Sequence, residues 1–186
     1  MDKKTFRAEI SARIAALDSD YIAKSDLGIL EKLLCLPEFI EAPRVFTYLS
    51  VGREVDTRSF IGHCRKLGKT LALPISRENC AMSFALLDCP LSELPVGRYG
   101  IPAPCESSPE LIPEKGDIII VPALCCDEEA FRLGHGGGYY DRYLANCKAF
   151  SVGLCRDKLM TAALPRDKFD LRLNCLVTEK RIARPE

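Results

Sequence analysis

Apolar residues recur at helical spacing over the first part of the chain. Phe6, Ile10 and Ile14 lie four residues apart and predict an amphipathic helix over residues 3–17. Basic residues between them give this helix a positively charged face. A second helix is predicted over residues 19–36, where leucines form the apolar stripe. Two consecutive helices therefore precede the first strand.

The pattern then changes to short apolar runs on either side of one helical stretch. Residues 44–49 and 70–73 predict strands, and the helix between them opens at Asp56 or Thr57 and ends at Gly68. A strand, a helix and a strand within about 30 residues are typical of a parallel βαβ unit. The first strand and the helix are joined by a short turn, which becomes a candidate ligand-binding loop.

The second half of the chain repeats this alternation. Residues 118–121 are continuously apolar, as expected of a strand buried on both faces. A further helix is predicted to begin near Gly138, whereas six prolines in residues 90–113 predict an irregular excursion. Other strands are predicted over residues 80–88, 150–154 and 176–178.

This order of elements predicts an α/β fold, namely a single three-layer α/β/α domain over residues 1–186 with a mainly parallel sheet. In such sheets, ligands bind beyond the carboxyl ends of the strands. The expected binding loops therefore follow Leu49, Leu73 and Val121. The charged residues 180–186 are expected to form a solvated end.

Charge excludes several classes of partner. The 186 residues include 26 Lys and Arg against 26 Asp and Glu, so the formal net charge is zero. Without a net positive field, the chain is not expected to hold nucleic acid or an anionic membrane surface. No apolar run approaches the roughly 20 residues of a membrane span, and the charged start does not resemble a signal peptide. We expect a cytoplasmic protein, and a monomer, because no apolar stripe remains once the predicted helices are packed.

Ten cysteines invite a disulfide or zinc interpretation, and their spacing argues against both. The sequence has no CxxC pair and no Cys/His finger spacing. Cys125 and Cys126 are adjacent and would not normally bridge each other. We therefore expect reduced thiols in a reducing compartment.

The segment from Arg132 to Arg142 carries the strongest chemical signal. It holds four glycines within five positions and runs into a predicted helix. Glycines let the backbone approach a ligand closely, and a helix N-terminus directs free N–H groups at an anion. The segment lacks both the Walker pattern and the dinucleotide fingerprint. The two arginines can neutralise phosphate, and Asp141 can hold a hard cation such as Mg²⁺.

Simpler interpretations of the same residues stay open at this point. A glycine cluster can be only a tight turn, and Tyr139 and Tyr140 can simply bury one face of a helix. Asp141 can be a solvated surface charge beside Arg142. Asp56 can be a plain helix N-cap, a role that is compatible with ligand binding.

The motif Arg-Leu-Gly-x-Gly-x-Gly-Tyr-Tyr-Asp-x-Tyr-Leu, preceded by a hydrophobic strand, resembles the 5-formyltetrahydrofolate cyclo-ligases, also called methenyltetrahydrofolate synthetases. The resemblance extends over nearly the whole chain. It includes the Lys-x-x-x-Arg spacing of Lys3 and Arg7, the turn over residues 49–57, the loop over residues 100–102 and the closing Asp170. It implies a fold like that of the NagB/RpiA/CoA transferase class.

The resemblance also implies a reaction. Family members would use ATP and Mg²⁺ to cyclise 5-formyltetrahydrofolate, or its polyglutamylated forms, to 5,10-methenyltetrahydrofolate, releasing ADP and phosphate. An N-formyl group is a poor electrophile, so its oxygen would be phosphorylated before N10 closes the ring. Such a transfer depends mainly on positioning and on neutralising the γ-phosphate.

Carried over residue by residue, the resemblance implies three sets of ligands. The ATP-binding set is Lys3, Lys4, Arg7, Arg132, Leu133, Gly134, His135, Gly136, Gly137, Gly138, Tyr139 and Tyr140. The substrate-binding set is Leu49, Glu54, Asp56, His135, Gly136, Gly137, Gly138 and Tyr139. The Mg²⁺ ligands are Asp141 and Asp170.

Four positions depart from the family pattern, and other functions stay open. Cys126 replaces an aromatic residue, Ala130 a glycine and Asn174 an acid, and Gly137 stands where some relatives have lysine. Ala130 suggests a loop of slightly different shape, and Asn174 would leave Mg²⁺ more loosely held. One alternative function is a catalytically weak folate- or nucleotide-binding protein on the same fold. Another is a phosphosugar isomerase or acyl-transfer enzyme on a similar scaffold, which would not require ATP.

Overall fold

A computed structural model describes residues 2–185. The helices are α1 (Lys3–Ala15), α2 (Ser19–Leu34), α3 (Pro37–Glu41), α4 (Arg58–Lys66) and α5 (Tyr139–Leu144). The strands are β1 (Arg44–Phe46), β2 (Thr70–Ser76), β3 (Met82–Leu86), β4 (Glu110–Leu111), β5 (Ile118–Val121), β6 (Cys125–Asp127), β7 (Arg132–Leu133), β8 (Phe150–Leu154), β9 (Met160–Thr161), β10 (Cys175–Val177) and β11 (Ile182–Ala183). No helix within residues 2–185 is long and apolar enough to cross a membrane.

Eight of the strands form one sheet in the order β11-β10-β8-β5-β1-β2-β3-β4. The five central strands, β10 to β2, are parallel, and β3, β4 and β11 run antiparallel to their neighbours. The loops that follow β1, β5, β8 and β10 therefore leave the same edge of the sheet. The mainly parallel α/β sheet predicted from the sequence is confirmed.

The central strand β5 shows why the fold has three layers. All four of its residues are fully buried, and successive side chains point to opposite faces. Ile118 and Ile120 belong to the core beneath α2, α3 and α4. Ile119 and Val121 belong to a second core, which is covered by α1, α5 and a smaller sheet.

That smaller sheet, in the order β7-β6-β9, was not predicted from the sequence. Its strands have only two or three residues each, which is too short for an alternating pattern to be visible. It packs Cys125 and Cys126 into the second core and places Arg132 at the start of the glycine segment.

Two local predictions were wrong. Residues 182–183 form β11 against β10, so residues 180–185 are not merely a solvated end; Glu186 lies outside the described residues. The added strand covers backbone groups of β10 that would otherwise form an exposed sheet edge. The strand predicted over residues 70–73 is longer than expected, since β2 continues through Pro74 to Ser76. Pro37, just beyond the end of α2, opens the short helix α3.

We expect the β5 core to dominate stability. Ile120→Ala removes a fully buried side chain and should lower the free energy of unfolding by about 2 to 5 kcal/mol. Ile112→Ala, at a position that is 69% exposed, is the matched control and should change it by less than about 0.5 kcal/mol. Chemical denaturation measures both, and equal losses would contradict this account of the core.

Candidate active site

The carboxyl ends of β1, β5 and β8 border a cavity of about 140 Å³. Its walls include Val51 and Glu54 after β1, Leu124 after β5 and Arg156 after β8, together with His135 from the glycine segment. Two of the three predicted binding loops, those after Leu49 and Val121, reach this cavity. The third does not line it, since β2 extends three residues beyond Leu73.

A buried arginine holds the turn after β1 in place. The side chain of Arg156 is 2% exposed, and its Nη2 donates to Asp26 Oδ1 at 2.6 Å. Its Nε donates to Ser25 Oγ at 3.0 Å, and its Nη1 and Nη2 donate to the carbonyls of Arg53 and Glu54 at 2.9 and 3.1 Å. Arg156 therefore ties α2 to the turn that carries Glu54.

The same turn ends in the cap of α4. Asp56 accepts hydrogen bonds from the backbone N–H groups of Arg58 at 3.0 Å and Ser59 at 3.1 Å, so it caps the start of α4 from the position before the N-cap residue Thr57. Burial opposes ionisation of Asp56, but the hydrogen bonds from Ser59 and Arg58 outweigh it and lower the carboxyl pKa. The predicted substrate ligand Leu49 is only 4% exposed and packs in the core, which leaves its backbone as the part nearest a ligand.

The glycine segment requires glycine at two of its positions. Gly136 and Gly138 have φ values of +100° and +65°, a region that side-chain-bearing residues rarely adopt. A Cβ on Gly136 would also lie 3.2 Å from Cζ of Arg7. Arg7 Nε donates to the carbonyl of Gly134 at 2.9 Å. The first helix and the glycine segment are thus joined, although 127 residues separate Arg7 from Gly134.

The other predicted cations differ in their surroundings. Lys3 Nζ lies 2.6 Å from Asp170 Oδ1 and 2.8 Å from Asp167 Oδ2. Burial alone would lower the pKa of Lys3, but the hydrogen bonds to Asp167 and Asp170 outweigh it and raise the pKa. Lys4 is exposed on the same helix. The described structure therefore brings Lys3 and Arg7, but not Lys4, into contact with other predicted site segments.

Two buried polar atoms beside the glycine segment lack partners. Among side chains of residues 2–185, Arg132 Nη1 and the Tyr140 hydroxyl are buried without a hydrogen bond. Burial raises the pKa of Tyr140, so this hydroxyl keeps its proton. Arg132 is otherwise paired, since its Nη2 donates to Asp141 Oδ1 at 2.9 Å. Unpartnered buried donors are uncommon in folded proteins, and these two are suited to an anionic ligand.

The predicted metal ligands lie on neighbouring segments. Asp141 Oδ1 accepts a hydrogen bond from the backbone N–H of Leu171 at 3.4 Å, which places it beside Asp170. No group of three or more His, Cys, Asp or Glu side chains suited to a metal occurs within residues 2–185. Two adjacent carboxylates nevertheless match Mg²⁺, which binds proteins through one or two carboxylates plus phosphate and water.

Asn174, which replaces an acid of the family pattern, has a structural role. Its Oδ1 accepts hydrogen bonds from the N–H and the hydroxyl of Ser151, both at 2.9 Å. Ser151 lies near the start of β8, and both residues line a separate cavity of about 220 Å³. Asn174 therefore fastens β8 to the segment that precedes β10.

Polar and aromatic groups complete the site. His135 Nε2 lies 3.4 Å from Glu54 Oε1, which brings the glycine segment to the turn after β1. The hydroxyl of Tyr139 lies 2.9 Å from that of Tyr99, within hydrogen-bond distance. This hydrogen bond is the largest of the effects that raise the pKa of Tyr139 to about 12. The predicted ATP and substrate residues of the two segments therefore share one surface.

Sequence reasoning missed the residues that support this surface. Asp127 is fully buried, accepts from the N–H groups of Glu129 and Phe131, and pairs with Arg166 at 2.7 Å. It holds the turn that leads into Arg132. Ala130, in this turn, has a φ of +64°, so it keeps a conformation natural to glycine. The one sequence signal for Asp127 is an acid directly after two apolar cysteines.

We expect removal of the buried guanidinium to be costly. Arg156→Met should lower the free energy of unfolding by about 3 kcal/mol or more, because Asp26 would be left without its charged partner. Arg184→Met is the matched control, since the side chains of Arg184 and its partner Glu38 are 46% and 28% exposed and their pair should contribute about 1 kcal/mol at most. Denaturant unfolding measures both losses.

The decrease in the free energy of unfolding caused by Arg156→Met should also depend on pH. Burial raises the pKa of Asp26 and the charge of Arg156 opposes this, so the variant should have a still higher Asp26 pKa. A group with a raised pKa in the folded state stabilises the fold once it is protonated, and that stability is lost as pH rises through this pKa. The deficit relative to wild type should therefore shrink on acidification, and a deficit that is independent of pH would contradict this assignment.

Comparisons with known proteins show the family of this chain. The sequence model of the 5-formyltetrahydrofolate cyclo-ligase family matches residues 1–179. The 5-formyltetrahydrofolate cyclo-ligase of Escherichia coli K12 is 31% identical over 156 residues, which are 81% of this chain and 86% of that protein.

Two solved structures are also similar to this chain. That of Aquifex aeolicus 5,10-methenyltetrahydrofolate synthetase is 33% identical, with a TM-score of 0.85, and the match covers 99% of this chain and 93% of that one. A Mycoplasma pneumoniae 5,10-methenyltetrahydrofolate synthetase is 20% identical with a TM-score of 0.78 over 96% and 99% of the two chains, which supports the fold. The chain therefore belongs to the 5-formyltetrahydrofolate cyclo-ligase family of ATP-dependent ligases, as its glycine and tyrosine segment predicted.

Proposed function

We propose that this protein uses ATP to cyclise 5-formyltetrahydrofolate to 5,10-methenyltetrahydrofolate, with release of ADP and phosphate. The observation that carries the proposal is the contact of Arg7 with the glycine segment, beside the unpartnered Arg132 Nη1. Cations from two distant parts of the chain there lie beside a backbone whose φ values at Gly136 and Gly138 favour glycine. This arrangement suits a polyphosphate better than a neutral ligand.

The proposal extends to the setting of the reaction. Residues 1–186 act as one cyclo-ligase domain, since strands from residue 44 to residue 183 join one sheet. The partners are small molecules, the folate and ATP, rather than nucleic acid or membrane, and the protein is a monomer. A cytoplasmic location is supported by ten cysteines that are all unpaired thiols.

In this proposal, the triphosphate lies along the glycine segment. Backbone N–H groups at residues 134–138 and the free Nη1 of Arg132 donate to its oxygens, and Arg7 and Lys3 neutralise its charge. Lys3 would exchange part of its pairing with Asp167 and Asp170 for phosphate. Lys4, which is exposed, contributes at longer range or not at all.

The folate occupies the cavity after β1 and the surface next to it. A volume of about 140 Å³ is smaller than most pockets for drug-sized ligands, so part of the folate extends over the glycine segment. Glu54 Oε1 is placed to accept a hydrogen bond from an N–H of the folate, since its Oε2 is already bonded to the N–H of Val51 at 2.9 Å. Tyr139 supplies an aromatic face at the border of the two ligands.

The geometry would promote two successive substitutions. The formyl oxygen attacks the γ-phosphorus, and the bond from that phosphorus to ADP breaks. N10 then attacks the activated formyl carbon and loses its proton, the carbon–oxygen bond to phosphate breaks, and the ring closes. The residues named above hold the formyl oxygen in line with the γ-phosphate and neutralise the charge of the phosphate. Positioning and charge neutralisation are the main requirements of phosphoryl transfer.

Asp141 and Asp170 fit Mg²⁺ and would hold it beside the phosphates. The ion supplies additional neutralisation of the phosphate charge when it is bound. Asp141 is paired with Arg132 and Asp170 with Lys3, so Mg²⁺ would share these carboxylates with the two cations. Asn174 is committed to Ser151 and would not join this set.

An absorbance assay for methenyltetrahydrofolate formation tests the proposed function directly. Product should form only when ATP is present with 5-formyltetrahydrofolate. If wild type bound both ligands without forming product, the alternative of a catalytically weak folate- or nucleotide-binding protein would replace the proposal. Product formed equally without ATP would exclude the phosphorylation step.

Arg7 should contribute to nucleotide affinity. Arg7→Ala is expected to weaken binding of a non-hydrolysable ATP analogue by about 1.5 to 3 kcal/mol, the range for charge-assisted hydrogen bonds, while 5-formyltetrahydrofolate binds as before. Arg13→Ala, on the same helix with its guanidinium on the carbonyl of Lys158, is the control and should leave both affinities unchanged. Isothermal titration that finds equal affinities for wild type and Arg7→Ala would remove α1 from the nucleotide site.

Asp167 and Asp170 offer a matched pair for the metal assignment, because both contact Lys3. Asp170→Asn should reduce the gain in ATP-analogue affinity that Mg²⁺ produces by about tenfold, as expected for loss of one charged ligand. Asp167→Asn removes the exposed partner of Lys3 and should preserve that gain. Titrations with and without Mg²⁺ measure the difference, and the same behaviour in both variants would refute the assignment of Asp170.

A further inference from the structure

Three backbone groups of the turn after β1 are bonded to one charged pair. Arg156 donates to the carbonyls of Arg53 and Glu54 at 2.9 and 3.1 Å. Its partner Asp26 accepts from the N–H of Asp56 at 3.3 Å, with the same Oδ1 that accepts from Arg156. The pair therefore holds the backbone that carries two of the predicted substrate ligands, Glu54 and Asp56.

This pair joins distant segments and is shielded from solvent. Arg156 follows β8 and Asp26 lies in α2, 130 positions away, and their side chains are 2% and 19% exposed. Although Arg156 borders the cavity, each of its three guanidinium nitrogens already donates to the protein, Nε to Ser25 Oγ at 3.0 Å. Arg156 can therefore influence a ligand through the turn that it holds.

The direction of the Glu54 carboxylate depends on the path of this turn. Glu54 Oε2 accepts from the N–H of Val51 at 2.9 Å, so the position of Oε1 follows that of the backbone. Without its anchor, the turn would present Oε1 correctly for only a fraction of the time. The apparent affinity for a ligand of Glu54 would fall in proportion to that fraction. Saturating ligand would restore the competent turn, so turnover at saturation should change less than affinity.

We propose that Arg156 and Asp26 are positioning residues that act through Glu54 and Asp56 and determine the affinity for the folate. This inference rests on the proposed function. The pair has two separable effects. The attraction between its charges stabilises the fold, whereas its bonds to the turn backbone define the shape of the binding loop. Substitutions that change one effect without the other test the inference.

Arg156→Lys keeps a positive charge beside Asp26 but loses the planar fork of donors. A single ammonium group cannot replace a guanidinium that reaches two carbonyls and a carboxylate together. The KM for 5-formyltetrahydrofolate should rise about tenfold, within the range for loss of two hydrogen bonds. The kcat should fall less than about threefold and the KM for ATP should stay within about twofold, because saturating folate restores the turn. Steady-state kinetics measure all three values.

Arg44→Lys is the matched control. Arg44 Nε and Nη2 donate to the two carboxylate oxygens of Asp117 at 2.9 and 2.6 Å, and the Asp117 side chain is 3% exposed. This pair lies at the start of β1, at the opposite edge of the sheet from the turn. Both KM values of Arg44→Lys should therefore stay at wild-type levels. The inference is overturned if Arg156→Lys leaves the KM for the folate within twofold of wild type.

A double variant separates stability from positioning. Asp26→Leu with Arg156→Met removes both charges, and replacing a buried ion pair by apolar side chains is often neutral for stability. Its midpoint of denaturant unfolding should therefore lie above that of Arg156→Met alone. The turn carbonyls still lack their donors, so the KM for the folate should remain about tenfold or more above wild type. If stability and the KM for the folate both return to wild-type values, the pair only stabilises the fold and the inference is overturned.

Hydrogen exchange and calorimetry keep this test separate from that of the proposed function. In the free protein, backbone amides of residues 50–57 should exchange about tenfold faster in Arg156→Lys than in wild type, while those of β5 keep their protection. If wild type binds the folate but forms no product, the proposed reaction fails, and weaker folate binding by Arg156→Lys would still support the positioning role. If wild type forms product and Arg156→Lys has wild-type exchange and folate affinity, the positioning role fails and the reaction stands.

Discussion

A buried guanidinium is costly unless acceptors satisfy its donors, and this constraint at Arg156 fixes the part of the fold on which the site depends. Arg156 meets it with acceptors from α2 and from the turn after β1. The turn has little regular structure of its own, yet it carries Glu54 and caps α4 through Asp56. Because two of the acceptors are backbone carbonyls of this turn, its path is defined before any ligand arrives.

The cations of the candidate site already have partners. Lys3 pairs with two carboxylates, Arg132 with Asp141, and Arg7 with the carbonyl of Gly134. Binding of a triphosphate would therefore exchange partners rather than fill an empty charged cleft. Such an exchange keeps the charges ordered in the free protein and reduces the entropy lost when the ligand binds.

Local patterns in the sequence were sufficient for the parallel centre of the sheet and for the glycine segment. Strand β5 is apolar at every position, which predicts a buried strand. Four glycines before two tyrosines predict a backbone that can approach a ligand closely. The supporting contacts have no local pattern, since Arg156 and Asp26 are 130 positions apart. The small sheet was missed because its strands are too short, and the contact between the Tyr99 and Tyr139 hydroxyls because it spans 40 positions of the chain.

The contact between Lys3 and Asp170 has a consequence for biosynthesis. These residues are 167 positions apart, so α1 leaves the ribosome long before its partner segment has been made. During that interval Lys3 and Arg7 belong to an amphipathic helix without the surface against which it packs. The nucleotide cannot organise the nascent chain early, because its proposed ligands are completed only when residue 170 emerges. The contact of α1 with the segment around Asp170, and with it the complete proposed ligand set, can therefore form only late in the synthesis of this chain.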